Sequence, residues 1–151
     1  MQTLNLPQAA VKITEKAGKR FIFDPIRKKY VALTPEEWVR QHFIHFLVSC
    51  KGYPVELVAN EVSITLNKTS KRCDSVVYNN YLEPLVIIEY KAPSVPITAE
   101  VFNQIARYNM ALHVKYLIVS NGLQHYCCKI DYNSGAIDFH REIPSYAEIV
   151  L

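Results

Sequence analysis

The sequence predicts an α/β sandwich in which a mixed β-sheet is flanked by at least two helices. Apolar runs such as Leu85–Ile88 are typical of strands buried on both faces. The segments 34–54 and 97–113 instead repeat their apolar residues at helical spacing. The strands expected at 85–91 and 115–120 lie on either side of the second helix, which favours a parallel pair joined by a right-handed crossover.

The N-terminal region carries an excess of positive charge. Residues 1–29 contain seven Lys or Arg and two Asp or Glu, although the formal charge of all 151 residues is only +3. Such a segment either contacts phosphate groups or is a solvated, partly mobile extension. We assign residues 1–20 to a basic lead-in and residues 21–151 to a single domain, whose size is sufficient for a hydrophobic core.

The first elements of that domain are a hairpin and a helix. Residues 21–33 predict two short strands around an Asp-Pro turn. The helix that follows has Thr34 as its N-cap, and it ends before Gly52. Glu37 occupies the third helical position, where a capping box would explain it without any catalytic role.

The remaining segments predict six strands and the second helix. Two of the strands are joined near Asn79-Asn80, and two flank the turn signal Asn121-Gly122. In chain order the segments are 59–67, 72–91 (two strands), 97–113 (the helix), 114–130 (two strands) and 136–140.

Charged residues stand where two of these strands should meet. Glu89 and Lys91 alternate along one strand and therefore share a face, and Asp74 lies on the preceding strand. Two neighbouring carboxylates repel each other unless a cation bridges them, and oxygen ligands without His or Cys favour Mg²⁺. A structural Glu–Lys ion pair at the sheet rim is the alternative.

The pattern Asp74, fourteen intervening residues, then Glu89-Tyr90-Lys91 resembles the PD-(D/E)XK nuclease superfamily. More narrowly, five segments in order resemble the N-terminal nuclease domain of type I restriction enzyme R subunits: TPEEWVRQHF, KGYP, KRCDSVVYN, IIEYKAPSVP, and FNQIARYN followed by YLIVSNGLQHYC. The likeness covers roughly residues 30–130. The residue before Asp74 is Cys73 rather than the proline of the superfamily pattern. Many members of the superfamily also lack this proline.

The resemblance implies a restriction-endonuclease-like three-layer sandwich and a Mg²⁺-dependent DNA endonuclease, with Mn²⁺ able to substitute. Asp74, Glu89 and the carbonyl of Tyr90 would hold the metal. Lys91 would orient the water or stabilise the phosphate. An acidic residue on the first helix would assist, and the sequence leaves open whether this is Glu37 or Glu36.

Other residues have weaker assignments. The resemblance implies accessory roles for Gln104 and Tyr108, which lie four residues apart and share a helix face, although a polar pair on a helix rim is the alternative. Four basic residues are candidates for contacts with the DNA backbone, although solvated side chains are equally consistent with them: Lys28, Lys29, Arg72 and Arg107.

Three features that the sequence lacks narrow the class of protein that we expect. No apolar run approaches the length of a membrane span, and no secretory leader is evident, so we expect a cytoplasmic protein. The chain contains no Walker A sequence, so we expect no helicase or ATPase motor. Two alternatives to an autonomous nuclease are an inactive nucleic-acid-binding or interaction module on the same fold, and a nuclease that needs a partner protein.

Overall fold

The computed structural model describes residues 1–151 as a mixed α/β structure, with nine strands and three α-helices. In chain order these are β1 Ile13–Lys16, β2 Lys19–Asp24, β3 Lys29–Ala32, α1 Pro35–Cys50, β4 Val58–Leu66, β5 Thr69–Tyr78, β6 Pro84–Tyr90, α2 Ala99–Met110, β7 Tyr116–Ser120, β8 His125–Ile130, β9 Ile137–His140 and α3 Tyr146–Ile149. Every strand and helix expected from the sequence is present. The strand β1 and the short helix α3 were not expected.

The strands form two sheets. The larger has six strands in the order β4-β5-β6-β7-β8-β9, and the smaller has three in the order β1-β2-β3. All neighbours are antiparallel except β6 and β7, which are parallel as the crossover through α2 requires. The mixed sheet and its parallel pair are thus confirmed.

The six-stranded sheet has a hydrophobic core on each face, because alternate residues of the buried strands point to opposite sides. One core combines α1 with one set of strand residues: Val39, Phe43, Leu47, Val86, Ile88 and Ile118. The other combines α2 with the alternate set: Phe102, Ala106, Val76, Ile87, Leu117 and Val119. The ends of β5 and β6 are therefore held between two packed layers.

The start of α1 follows the predicted cap only in part. The Thr34 side chain accepts a hydrogen bond from the backbone N–H of Glu37 at 3.0 Å. The reciprocal bond of a capping box is not made, because the Glu37 carboxylate is bonded to other side chains and the Thr34 N–H donates to the Ala32 carbonyl. The Glu37 carboxylate is therefore used in bonds to Arg27, Arg40 and Gln41 rather than in capping its own helix.

The N-terminal residues are attached to the domain. Leu4 is a member of the α1 core, and the backbone N–H of Asn5 donates to the carbonyl of Gly122 at 2.9 Å. Gly122 has a φ of +85°, and a Cβ there would lie 2.7 Å from a Leu4 methyl carbon. Residues 1–20 thus include a core contact and the strand β1, rather than a simple solvated extension. No helix in the chain is both long and apolar enough to cross a membrane.

Candidate active site

Asp74 and Glu89 lie opposite each other on neighbouring antiparallel strands. Ser75 of β5 pairs with Ile88 of β6, so the next positions outward are Asp74 and Glu89. The Asp74 carboxylate also accepts a hydrogen bond from the backbone N–H of Tyr90 at 2.9 Å. This contact fixes the Asp74 side chain against the Glu89–Tyr90 peptide.

Lys91 joins these carboxylates because it follows β6 directly. Its backbone N–H donates to the Ser120 carbonyl at 2.9 Å, which continues the pairing with β7. The side chain of the intervening Tyr90 is buried in the α1 core, where its hydroxyl donates to Ser75. Glu89 and Lys91 instead both line a cleft against α2, as expected for alternate residues of a strand.

Two adjoining cavities surround this group. The first has a volume of about 320 Å³, and it is lined by Thr34, Glu36, Arg40, Glu61, Asp74, Glu89, Tyr90 and Lys91. The second has a volume of about 330 Å³, and it is lined by Arg72, Glu89, Lys91, Gln104, Ile105, Tyr108 and Asn109. Because Glu89 and Lys91 line both, they stand at the junction of an α1 side and an α2 side.

The electrostatic state of Glu89 reflects this crowding. Burial and then the negative charge of Asp74 raise the pKa of the Glu89 carboxyl to about 8, although Lys91 and a hydrogen bond from Asn109 oppose the shift. A cation placed between the two carboxylates would favour the ionised form of Glu89. The site therefore has a built-in electrostatic preference for a positive ligand.

Asn109 is a site residue that the sequence reasoning missed. It is 3% exposed, and its side-chain N–H donates to the Ile105 carbonyl at 2.9 Å. Its Oδ1 atom is buried and accepts no hydrogen bond from the protein. A buried acceptor of this kind requires a donor, which the Lys91 ammonium or a water molecule in the same cleft could supply.

The structure does not bring Glu37 to the cavity. Its carboxylate is 4% exposed and is bonded by Arg27 at 2.7 Å, by Arg40 at 2.8 and 3.0 Å, and by Gln41 at 2.9 Å. Burial would raise the pKa of Glu37, but hydrogen bonds from Arg40, Gln41 and Arg27 hold it below its usual value. The carboxylate is fully engaged in ion pairs, so the acidic residue of α1 that lines the cavity is Glu36.

Arg40 connects this ion-pair cluster to the site. Its guanidinium donates to the Asp74 carbonyl at 2.7 Å and to Glu61 at 2.8 Å, and it lies 5.7 Å from the centre of the Tyr90 ring. Arg40 therefore supports the backbone of Asp74, although the Asp74 carboxylate remains at the cavity. A single arginine on an amphipathic helix gives no sign of this role in the sequence.

Glu61 is the second missed residue at the cavity. It faces Asp74 in the register of β4 and β5, since Asn60 pairs with Ser75 and Val62 pairs with Cys73. Its φ of +56° interrupts the strand there, which is uncommon for a residue with a long side chain. Its carboxylate is bonded by both Arg40 and Arg72, so Glu61 neutralises arginines beside the site.

The other predicted residues lie around the site. Gln104 and Tyr108 line the α2-side cavity with Lys91, and Arg72 lines it while it pairs with Glu61. Three of the proposed DNA-contacting residues are exposed and form no ion pair in the structure: Lys28, Lys29 and Arg107. Lys28 and Lys29 lie at the β2–β3 turn, and Arg107 lies on α2.

The donor set at Asp74 and Glu89 fits a hard divalent cation. Mg²⁺ commonly takes one or two carboxylates from the protein and completes its shell with waters and substrate phosphate oxygens. No group of three or more His, Cys, Asp or Glu side chains forms a closed metal cage in this chain. Two facing carboxylates beside a buried orphan acceptor thus suit an open Mg²⁺ site, and not a zinc site.

Comparisons with known proteins bear on the fold and the family of this chain. A solved fragment assigned to an HsdR subunit of a type I restriction enzyme from Vibrio vulnificus YJ016 is similar to this chain, with a TM-score of 0.55 and 18% identity. The similarity covers 78% of this chain and 25% of that one, so the present chain spans about a quarter of the solved fragment's length. No curated protein matches the sequence.

The family comparison is more specific. Residues 35–144 match the model of the family described as "Type I restriction enzyme R protein N terminus (HSDR_N)". The matched range includes Asp74, Glu89, Lys91 and the helix that carries Asn109. The chain belongs to the type I restriction enzyme R protein N-terminal family.

Proposed function

We propose that this chain is a Mg²⁺-dependent DNA endonuclease domain with a restriction-endonuclease-like three-layer architecture. The observation that supports it most is the arrangement of Asp74, Glu89 and Lys91 around one cavity at the ends of β5 and β6. Two facing carboxylates and one lysine supply what hydrolysis of a phosphodiester needs, namely a metal site and a fixed positive charge. Membership of the R-protein family supports DNA as the substrate.

Each of these side chains has a distinct part in the proposed reaction. Asp74 and Glu89 hold the metal, and the Tyr90 carbonyl is a further candidate ligand. When bound, Mg²⁺ supplies Lewis-acid polarisation of a phosphate oxygen and lowers the pKa of water. Lys91 places its ammonium beside the scissile phosphate, where it stabilises the negative charge that develops as water attacks phosphorus.

Several neighbours have a supporting part in this proposal. Arg40 fixes the backbone of Asp74, and Asn109 supplies an acceptor that orients Lys91 or a water molecule. Gln104 and Tyr108 extend the cleft on α2, where they would contact the substrate rather than take part in bond breaking. The acidic residue of α1 nearest to this chemistry is Glu36, since Glu37 is engaged with Arg27 and Arg40.

A plasmid-nicking assay tests the proposal. Supercoiled DNA is incubated with the wild-type chain in Mg²⁺, in Mn²⁺ and in EDTA, and the variant Lys91→Ala is measured beside it. We expect metal-dependent nicking that falls by about 10²-fold or more in Lys91→Ala, the scale for losing one preorganised electrostatic group. DNA affinity should change far less, because backbone binding is spread over many basic residues.

The matched control is Lys129→Ala, which removes another half-buried lysine from β8, two strands away from β6. This variant should nick at the wild-type rate. Equal rates for Lys91→Ala and wild type would contradict the catalytic role of Lys91. A wild-type chain that binds DNA but nicks in neither metal would favour the alternative, a binding module on the family fold.

A further inference from the structure

The three-stranded sheet presents a face whose chemistry the cleavage site does not use. Phe23 of β2 pairs with Tyr30 of β3, and Phe21 pairs with Thr14 on one side and Ala32 on the other. Paired residues share a face of the sheet, and alternate residues along a strand return to it. The outer face therefore carries Lys12, Thr14, Lys16, Lys19, Phe21, Phe23, Tyr30 and Ala32.

The opposite face points toward the domain. Ile22 and Asp24 are both fully buried there, whereas the flanking Phe21 and Phe23 are half-buried. Both acidic residues of the sheet, Glu15 and Asp24, alternate onto this inner face. The outer face consequently has three lysines and three aromatic rings but no carboxylate.

The aromatic rings of the outer face form an ordered group beside the lysines. The ring centres of Phe23 and Tyr30 lie 5.2 Å apart at an interplanar angle of 70°, and Tyr30 is 47% exposed. The Lys12 ammonium lies 5.7 Å from the centre of the Phe23 ring. Packing within the chain therefore leaves about half of the Tyr30 side chain accessible to a ligand.

This sheet is also fixed relative to the cleavage cavity. Asp24 at the end of β2 accepts a hydrogen bond from Asn60 of β4 at 3.0 Å, and it pairs with Arg27, which in turn pairs with Glu37 of α1. The strand β3 ends at Ala32, two residues before Thr34, which lines the cavity. A ligand on the outer face would therefore be held at a set position relative to the cavity.

We propose that the outer face binds a single-stranded nucleic acid segment, as a surface separate from the cleavage cavity. Unpaired bases can stack on exposed rings, while lysines at the same spacing neutralise the phosphates, and this combination is how sequence-tolerant single-strand binders work. A duplex encloses its bases and could use only the lysines. The absence of carboxylates on this face suits a polyanion and disfavours a basic partner.

The test is fluorescence anisotropy with a labelled 20-nucleotide oligo-dT and the matching duplex, in EDTA so that no cleavage occurs. We expect the wild type to bind the single strand at least about 10-fold more tightly than the duplex. Tyr30→Ala should weaken single-strand binding by about 10-fold, the scale for losing one stacked base. Lys16→Glu should weaken it too and reduce the salt dependence of log Kd by about 0.7, as expected for one lost phosphate contact on a single strand.

Two controls match these changes elsewhere on the surface. Tyr81→Ala removes a tyrosine that is 85% exposed in the β5–β6 turn, at the end of those strands away from Asp74 and Glu89. Arg141→Glu makes the same charge change just after β9, the sheet edge opposite β4. Both should bind as the wild type does. Tyr30→Trp should restore binding lost in Tyr30→Ala, which separates stacking from a loss of folding.

Equal single-strand affinities for Tyr30→Ala and Tyr81→Ala would overturn the proposal, and so would an equal loss of single-strand and duplex affinity in Tyr30→Ala. A requirement for Mg²⁺ in single-strand binding would also overturn it, because the outer face has no metal ligand. These results do not depend on turnover. A chain that binds the single strand through Tyr30 but never nicks plasmid would retain this surface and lose the proposed nuclease activity.

Discussion

Arg40→Met is the perturbation that most directly probes how the site is supported. Arg40 is 6% exposed and makes two bonds to Glu37, one to the Asp74 carbonyl and one to Glu61, at distances between 2.7 and 3.0 Å. Methionine keeps much of the aliphatic volume but donates no hydrogen bond. The variant therefore removes one charge and four bonds with little change in packing.

The loss of stability in Arg40→Met depends on the buried carboxylates that lose their partner. Removing one partner of a buried ion pair costs about 3–5 kcal/mol, because the other charge remains buried. Glu37 keeps Arg27 and Gln41, and Glu61 keeps Arg72, so we expect the lower end, about 3 kcal/mol. For a domain of this size that corresponds to a fall in Tm of about 6–12 °C.

The pH dependence gives a second readout. The pKa of Glu37 is held below its usual value in the folded chain, so Glu37 adds stability above its unfolded pKa, and that stability is lost as the pH falls through the folded value. Arg40→Met reduces this contribution. The destabilisation should therefore be larger at pH 7 than at pH 4, when urea unfolding is followed at both.

Arg72→Met is the matched control, because its side chain is 68% exposed and pairs with Glu61 alone. We expect it to cost about 0–1 kcal/mol, as exposed pairs do. If Arg40→Met and Arg72→Met lower the free energy of unfolding equally, the buried ion-pair cluster does not stabilise the site. An equal loss for Arg40→Met at pH 4 and pH 7 would contradict the role of Glu37.

Four further outcomes are expected. Mg²⁺ or Mn²⁺ should raise the Tm by mass action, and Asp74→Asn should remove most of that rise. Glu37→Gln should lower the Tm of the metal-free chain but retain the rise that the metal produces. In EDTA the stability should fall as the pH rises from about 4.3, the unfolded pKa, through about 8, because the pKa of Glu89 is raised to about 8; Glu89→Gln should flatten that slope in urea titrations. Asn109→Leu should slow nicking, because it removes the buried acceptor that orients Lys91 or a water molecule; an unchanged rate would assign Asn109 to packing alone. Lys28→Ala with Lys29→Ala should weaken DNA binding and its salt dependence, measured by anisotropy at several salt concentrations, without altering the response of the Tm to metal.

The sequence by itself determined the parts of this protein that depend on local periodicity. A run of apolar residues that ends in Glu89-Tyr90-Lys91 fixes both the buried strand and the shared face of its two charges, because side chains alternate along any strand. The helix between two such strands returns the chain to the start of the sheet, and this crossover connection makes the two strands parallel. The turn predicted near Asn79-Asn80 also made the strands of Asp74 and Glu89 neighbours, and the structure supplied the register that sets the two residues opposite each other.

The tertiary structure decided which polar groups are free and which are engaged. Glu36 and Glu37 both lie in the first turn of α1. Arg27, which comes from the β2–β3 turn, joins Arg40 of the same helix in binding Glu37, and Glu36 is left at the cavity. The left-handed backbone of Glu61 and the orphan oxygen of Asn109 likewise depend on what surrounds them. The basic N-terminal segment was visible in composition, but only strand pairing, which joins residues distant in the chain, placed three of its lysines on one face with Phe23 and Tyr30.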